Sequence, residues 1–325
     1  VRALVKTLKS RSVSGDGAFS PYAQVGHRPA ITKRHRAVLD RRPGRLHSPG
    51  VGRVGPYRGL LPWPDVTTAA APDVRPVDVL TVATVCDVTP TVRRVVLTGT
   101  RDAVTAAGPT VSLLVPRVDD PAPRWPGIAR DGRIVWPAGA HGVSLRSYTA
   151  RRQDPAAGEV EIDFVLHGDG PAAAWAAGAR PGAVLGVAGA SPLGERPAGH
   201  LLLAGDETAL PAISRILGAA GPGTRGLALL EVADAAEEQE LPAPPGVEVR
   251  WLHRDGTPPG ESTLLADAVA ALERPPGEDL FAWVAAESAA VRTIRADLRG
   301  RWGLGRAQHH AIGYWRRGRA MSPSR

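Results

Sequence analysis

The chain has 325 residues, with 40 Lys and Arg against 32 Asp and Glu, nine histidines and one cysteine. That length exceeds one ordinary core and predicts two domains, while the single Cys86 excludes an internal disulfide framework and a cysteine-rich metal site. The formal charge of +8 resides in the first 75 residues, which carry 14 Lys and Arg against 4 Asp and Glu, so the remaining body is near neutral and unlike a basic nucleic-acid-binding face.

Residues 1–75 hold all three lysines and stretches such as KSRSVSGDG, KRHR and DRRPGRLHSPG. Gly, Pro, Ser and Arg without apolar periodicity predict a disordered basic leader. It reads as an arm for nucleic acid or an acidic partner, or as an upstream extension outside the mature protein. No apolar segment follows its basic residues and no run of about 18 apolar residues occurs, so neither export nor a membrane span is expected. A cytoplasmic protein follows.

Order is predicted from Val77. VDVLTVATVCDV alternates and is β-branched, TPT turns, and VRRVVLTG resumes, which gives two strands with Cys86 as a small buried residue. VSLLVP, GRIVWP, SLRSYTAR and EVEIDFVLH follow between Gly and Pro turns, predicting a small antiparallel barrel over residues 76–197. The pattern then changes. HLLLAGDETALPAISRILGAAG, GLALLEVAD, VEVRWLHR, STLLADAVAALER, DLFAWVAAE, SAAVRTIRADLRGRW and QHHAIGYW set apolar strands among helices, with Leu264, Leu265, Ala268 and Leu272 on one helix face. That predicts a parallel sheet covered on both sides over residues 198–319, with a tail at 320–325.

Four segments carry the chemistry. In LRSYTARR, Arg146 and Tyr148 share one strand face, and Ser147 and Thr149 the other. The bland reading is an edge strand with a solvated face. A barrel that precedes an α/β domain is also the order of flavin reductases, and an FAD would use each group. Arg146 suits a bidentate bond to phosphate, Tyr148 the ribityl chain or ring, and Thr149 the ring edge. In FVLHGDGPAAAWA, a strand ends at His167, and Gly168, Gly170 and Pro171 lead into a helix whose small Ala172 lets an anion approach its N-terminus. A histidine such as His167 is by itself more often a structural hydrogen-bonder than a ligand. In LLLAGDETALPAI, the loop that should be glycine-rich for a dinucleotide is Gly205-Asp206-Glu207-Thr208. Its two acids oppose a pyrophosphate, and helix capping by Asp206 or Thr208 is the alternative. GYWRRG brings Tyr314 and Trp315, either to a flavin or to an interdomain seam, with Arg316 and Arg317 solvated or facing an anion.

Taken in order, LRSYTARR, DFVLHGDGPAAAWA, AGDETALPAISRIL, WLHR, WVAAE and GYWRRG resemble the siderophore-interacting protein family over residues 76–319. These are FAD-binding ferric-siderophore reductases of the ferredoxin-reductase-like superfamily. The resemblance implies that Arg146, Tyr148 and Thr149, with Ser147 between them, form the flavin motif. His167, Gly170, Pro171 and Ala172 run along the FAD phosphates; Asp206, Glu207 and Thr208 form a loop near the flavin; Tyr314 and Trp315 lie near the isoalloxazine. Arg254, Arg316 and Arg317 are the candidates for an anionic siderophore at the pocket mouth. Two departures stand out: Ala286 replaces the glycine usual before Glu287, adding a methyl where a nicotinamide would approach, and the loop after the LTG strand end is short. The implied activity is FAD-dependent reduction of a ferric siderophore in intracellular iron acquisition, with NAD(P)H or a ferredoxin as electron donor. The alternative is a non-catalytic flavin- and siderophore-binding protein. Nucleic acid and membrane insertion are not expected.

Overall fold

The computed structural model describes residues 73–319 apart from 121, 167–169 and 278. The expectations for residues 1–72, for the end of the chain from residue 320, and for His167 lie outside the described residues. No helix among the described residues is long and apolar enough to cross a membrane.

Six antiparallel strands close a barrel: β2 (Asp78–Thr89), β3 (Val92–Thr98), β4 (Thr110–Val115), β7 (Ser144–Asp154), β8 (Glu159–Val165) and β9 (Val184–Ser191), in the order β2-β3-β8-β7-β4-β9. Its interior is filled by alternate side chains such as Leu80, Leu97, Val111, Leu113, Ile162 and Phe164, so closure removes both sheet edges around one apolar core. Helix α1 (Arg101–Thr105) occupies the short loop after β3, capped by the Thr100 hydroxyl, which accepts from Ala103 N at 3.2 Å. Helix α2 (Pro171–Gly178) plugs the barrel with Ala172, Trp175 and Ala176. A separate small sheet joins β1 (Val74–Pro76), β5 (Gly127–Ala129) and β6 (Ile134–Val135).

The parallel sheet has the order β12 (Gly246–His253), β11 (Arg225–Val232), β10 (His200–Asp206), β13 (Leu280–Glu287) and β14 (His309–Trp315). Alternation along β10 sends Leu201 and Leu203 to one face, under α3 (Leu210–Ala219), and Leu202 and Ala204 to the other, under α4 (Leu264–Ala270) and α5 (Ser288–Gly300). Every residue of β13 is buried, as a central strand between two helical layers requires.

Three contacts fix the sheet to the barrel. Arg215 of α3 donates to Ala150 O at 2.9 Å, and Trp283 Nε1 donates to Leu193 O at 2.9 Å. Glu237, from the turn after β11, accepts the Thr91 N–H at 2.9 Å and the Thr89 hydroxyl of the β2–β3 turn.

The barrel followed by an α/β domain matches the expected fold class, and four details differ. Cys86 is exposed, not buried. A register shift between Val82 and Thr84 inserts an extra residue, after which Val85 faces the core and Cys86 faces out. IVW forms β6 outside the barrel, and the sixth barrel strand is β9, whose small residues carry little strand signal. Gly186 fits closely there, because a Cβ would lie 3.0 Å from Leu114 Cβ and 3.1 Å from the Trp125 ring and would press on both. Strand β1 begins at Val74, ahead of Val77, held by pairing with β5 and not by any pattern of its own. Leu264, at the first position of α4, is exposed, while Leu265 and Val269 enter the core.

Candidate functional site

Strand β7 places Arg146 opposite Leu113, Tyr148 opposite Val111 and Thr149 opposite Thr110. Directly opposed residues share a face, so Tyr148 turns toward the barrel core. Its ring meets Phe164 with centroids 4.5 Å apart, and Phe164 in turn meets Trp175 at 5.6 Å. Burial pushes the Tyr148 phenol well above its ordinary range, so it stays a neutral hydroxyl. Arg146 is half-buried; its Nη1 donates to Leu145 O at 2.8 Å, and no carboxylate pairs with it among the described residues. Ser147, between them, is exposed.

Thr149 is buried, and its side chain lies near that of Tyr314, at the far end of the chain, close enough to favour the phenol's charged form. Burial pushes Tyr314 up to about 12, an effect that the nearby Thr149 side chain partly offsets. The Tyr314 ring stands edge-on to Trp283, centroids 6.1 Å apart. One strand of the barrel and the last strand of the sheet therefore meet at a threonine and a tyrosine. Helix α2 starts at Gly170 with no side-chain cap, Pro171 opens its first turn, and that turn holds no acid. Its leading N–H groups are thus available to an anion. A Cβ on Gly170 would meet nothing within 4 Å among the described residues, whereas Ala172 is buried in the barrel core.

The C-terminal ends of the parallel strands are different in kind. Strand order reverses between β10 and β13, and crevices at such a switch point receive ligands in α/β sheets. Here the position is filled by the protein's own acids: Asp206, Glu207, Glu231 and Glu287 are all buried. Asp206 Oδ1 accepts from Thr208 N at 3.0 Å, which is the capping alternative, while its Oδ2 accepts from Glu287 N at 3.1 Å and from Trp315 Nε1 at 2.7 Å. Burial pushes Asp206 up to about 6, against the hydrogen bonds from Thr208 and Trp315. Gly205 before it is required, since a Cβ would stand 2.4 Å from Ala209 Cβ and 2.9 Å from Ala285 O.

A cleft of about 350 Å³ opens beside this cluster. Thr91 and Val165 of the barrel form one side; Thr208, Trp315 and the loop from Gly256 to Pro259 form the other. Trp315 also borders a smaller cavity of about 20 Å³ shared with Asp206, Glu231 and Glu287.

The comparisons with known proteins now decide the family. Residues 81–194 match the family described as "Siderophore-interacting FAD-binding domain", and residues 198–318 match "Siderophore-interacting protein". The ferric vibriobactin reductase ViuB of Vibrio cholerae is 38% identical over 196 residues, which cover 58% of this chain and 70% of that protein. The chain belongs to the siderophore-interacting protein family. Among solved structures, a siderophore utilization protein from T. fusca is 37% identical with a TM-score of 0.67, covering 77% of this chain and 97% of its own. The siderophore-interacting protein SipS from Aeromonas hydrophila is 29% identical with a TM-score of 0.64, covering 76% and 94%.

Within this family member, the three arginines singled out for an anionic ligand have separate fates. Arg254 lines the cleft, but its charge is engaged by the protein's own acids. It is 5% exposed, its guanidinium bonds both Glu207 oxygens, at 3.1 Å and 2.5 Å, and Glu231 lies 3.6 Å away. Burial works against its charge, but the two carboxylates outweigh that and hold it above its usual value. One guanidinium between two carboxylates leaves no positive charge for a ligand. Arg317 pairs with Glu261 at the surface, and its N–H donates to Glu287 Oε1 at 3.3 Å. Arg316 is exposed, and no carboxylate pairs with it among the described residues. Ala286 is buried in the core layer of Leu265, Val284 and Val291, and it also borders the smaller cavity with Asp206 and Glu287.

Sequence reasoning passed over Glu231 and Glu287. The signal was present, since each is the one acid in an otherwise apolar parallel strand, GLALLEV and LFAWVAAE, and both lie toward the carboxyl end where such sheets place their sites. Glu237 had no such mark; only the folded chain brings it to the β2–β3 turn.

Proposed function

We propose that this chain is an FAD-dependent oxidoreductase that reduces a ferric siderophore and so releases its iron in intracellular iron acquisition. The observation that carries the reading is strand β7: Arg146 without a carboxylate partner among the described residues beside half-buried Tyr148, with Thr149 near Tyr314, in a chain that matches a siderophore-interacting FAD-binding domain. These residues fit the group. Arg146 and the uncapped N-terminus of α2 offer charge and N–H donors to a diphosphate. Tyr148 and Tyr314, both held neutral, offer apolar ring surface with a hydroxyl at the edge. Bound FAD supplies the ability to accept a pair of electrons and pass them on one at a time. The protein's part is to orient that group, shield it from water and admit the chelate. Hard oxygen donors hold Fe(III) far more tightly than Fe(II), so one electron loosens the metal, and no acid–base residue is required. Arg316, with Arg317 beside it, is our candidate for steering an anionic chelate.

For the donor, NAD(P)H suits an α/β domain, but four buried carboxylates and one guanidinium at the switch point oppose a pyrophosphate there. A ferredoxin is the second reading, for which the exposed Arg316 and Arg317 of the C-terminal WRRGR offer a basic surface. The test is an absorbance spectrum of the purified protein, followed by anaerobic mixing with NADPH, NADH or reduced ferredoxin and then with ferric siderophore. A flavin spectrum bleached by one donor and restored by the chelate supports the reductase and names the donor. A flavin that no donor bleaches, in a protein that still binds chelate, gives the non-catalytic binding role. Absence of bound flavin, with none taken up on adding FAD, overturns the proposal.

A further inference from the structure

Strands β10, β13 and β14 end around one carboxylate. Four donors converge on Asp206: the Thr208 N–H at 3.0 Å and hydroxyl at 2.5 Å on Oδ1, and the Glu287 N–H at 3.1 Å and Trp315 indole N–H at 2.7 Å on Oδ2. An ionised carboxylate only accepts and takes all four, whereas an amide in its place turns N–H groups against two of them. The Trp315 backbone is held as well, by the Ser288 hydroxyl donating to Trp315 O at 2.8 Å.

The opposite edge of the indole is fitted by Gly260. Its φ is +75°, and a Cβ there would stand 2.8 Å from Cη2 of Trp315. The ring is therefore fixed at both ends, by a charged acceptor inside and a glycine turn outside, and in that place it borders both the cleft and the small cavity behind it. Helix capping needs only the Oδ1 side of Asp206. The Oδ2 side, with its bond to a side chain 109 positions later, needs another reason.

We infer that Asp206 is a positioning residue, holding the Trp315 indole as the aromatic wall of the cleft through which the ferric chelate reaches its electron. The inference rests on the proposed reductase reading for what passes through the cleft, and on geometry alone for the tether. Glu207, Glu231, Arg254, Glu287 and Arg317 surround the pair, but none of them has a bond to the indole N–H; that bond is to Asp206.

The experiment uses the full chain with bound FAD, ¹⁵N-labelled at tryptophan. The Trp315 indole resonance is assigned by its loss in Trp315→Phe. In Asp206→Asn it is expected to move upfield, out of its charge-assisted position, while the other indole resonances keep their places and report an intact fold. A second measurement reduces the flavin photochemically and follows its reoxidation by a ferric tris-catecholate. Asp206→Asn and Trp315→Phe are each expected to slow this step about tenfold, the scale of one hydrogen bond to a charged group, and the double variant to be no slower than Trp315→Phe. An indole resonance unmoved in Asp206→Asn overturns the tether. Equal slowing by Asp206→Asn in the native and Trp315→Phe backgrounds overturns its route through the ring. If Asp206→Asn does not fold, Trp315→Phe alone decides: reoxidation at the native rate overturns the inference. If no flavin binds, the reductase reading fails and the positioning role with it, while the resonance still decides whether the tether exists.

Discussion

Two arginines show how the two halves of the molecule differ. Arg146, on the barrel strand β7, has only a neighbouring carbonyl as its acceptor and no carboxylate partner among the described residues. Arg254, at the edge of the parallel sheet, is enclosed by Glu207 and Glu231. The residue type is the same, and the available charge is opposite. On the barrel a positive charge is left for an anion; at the strand ends a surplus of buried carboxylates leaves none. A cation's role is set by the acids folded around it, and the sequence distance between them, 47 residues from Glu207 to Arg254, conceals that.

The largest expected effect tests the enclosed arginine. Arg254→Ala leaves Glu207 and Glu231 buried without a counter-charge, and it should destabilise the fold by about 3–5 kcal/mol. Urea denaturation measures it. A loss below about 1 kcal/mol, the value of exposed ion pairs, would mean that Arg254 is a surface cation after all.

The acid beside it gives a pH dependence of somewhat smaller size. Asp206 is raised from an ordinary 3.8 to about 6 in the fold. Between those values the native state holds a proton that the unfolded chain has released, so stability falls as pH rises through this window and is level above it. A shift of two units corresponds to about 3 kcal/mol. Denaturation midpoints between pH 4 and pH 7 should show that decline, and Asp206→Asn should remove it. A slope of opposite sign would break the description of the switch point as a place where negative charge is costly.

On the barrel side, Arg146→Ala should weaken FAD binding by about ten- to a hundredfold, the value of a charge-assisted hydrogen bond. Titration of apoprotein by flavin fluorescence reads it, and Arg146→Lys should recover part of the loss. The fold should be unaffected, since no buried carboxylate is left behind. This contrast with Arg254→Ala sharpens the comparison: one substitution acts on stability, the other on the ligand.

The sheet was legible in the sequence because each of its inner strands is buried on both faces, so apolar runs such as LFAWVAAE announce themselves. The barrel was legible as a class but less so in detail. Strand β9, VLGVAGAS, has too few large side chains to stand out, and β1 exists only through pairing with β5. The strand that presents Arg146, Tyr148 and Thr149 was legible in LRSYTARR, and the cluster assembled at the ends of the parallel strands was not. Nothing local to Arg254 tells that two glutamates close on it, or that the carboxylate of Asp206 holds an indole from the last strand.

Cys86 makes the same point with the smallest expected effect. Unbroken alternation from Leu80 through Val82 and Thr84 puts Cys86 in the barrel core, where removing its sulfur would leave a cavity. The bulge after Val82 turns it outward instead. On this geometry Cys86→Ser should change stability by no more than about 0.5 kcal/mol, as other exposed substitutions do, and the native thiol should react with a disulfide reagent at the rate of an open cysteine. A thiol that reacts only after unfolding would restore the uninterrupted strand. The register of β2 against β3 would then be wrong, and with it the position of Thr89 and Thr91, where Glu237 joins the barrel to the sheet. A substitution expected to do almost nothing thus tests the joint that sets one side of the cleft.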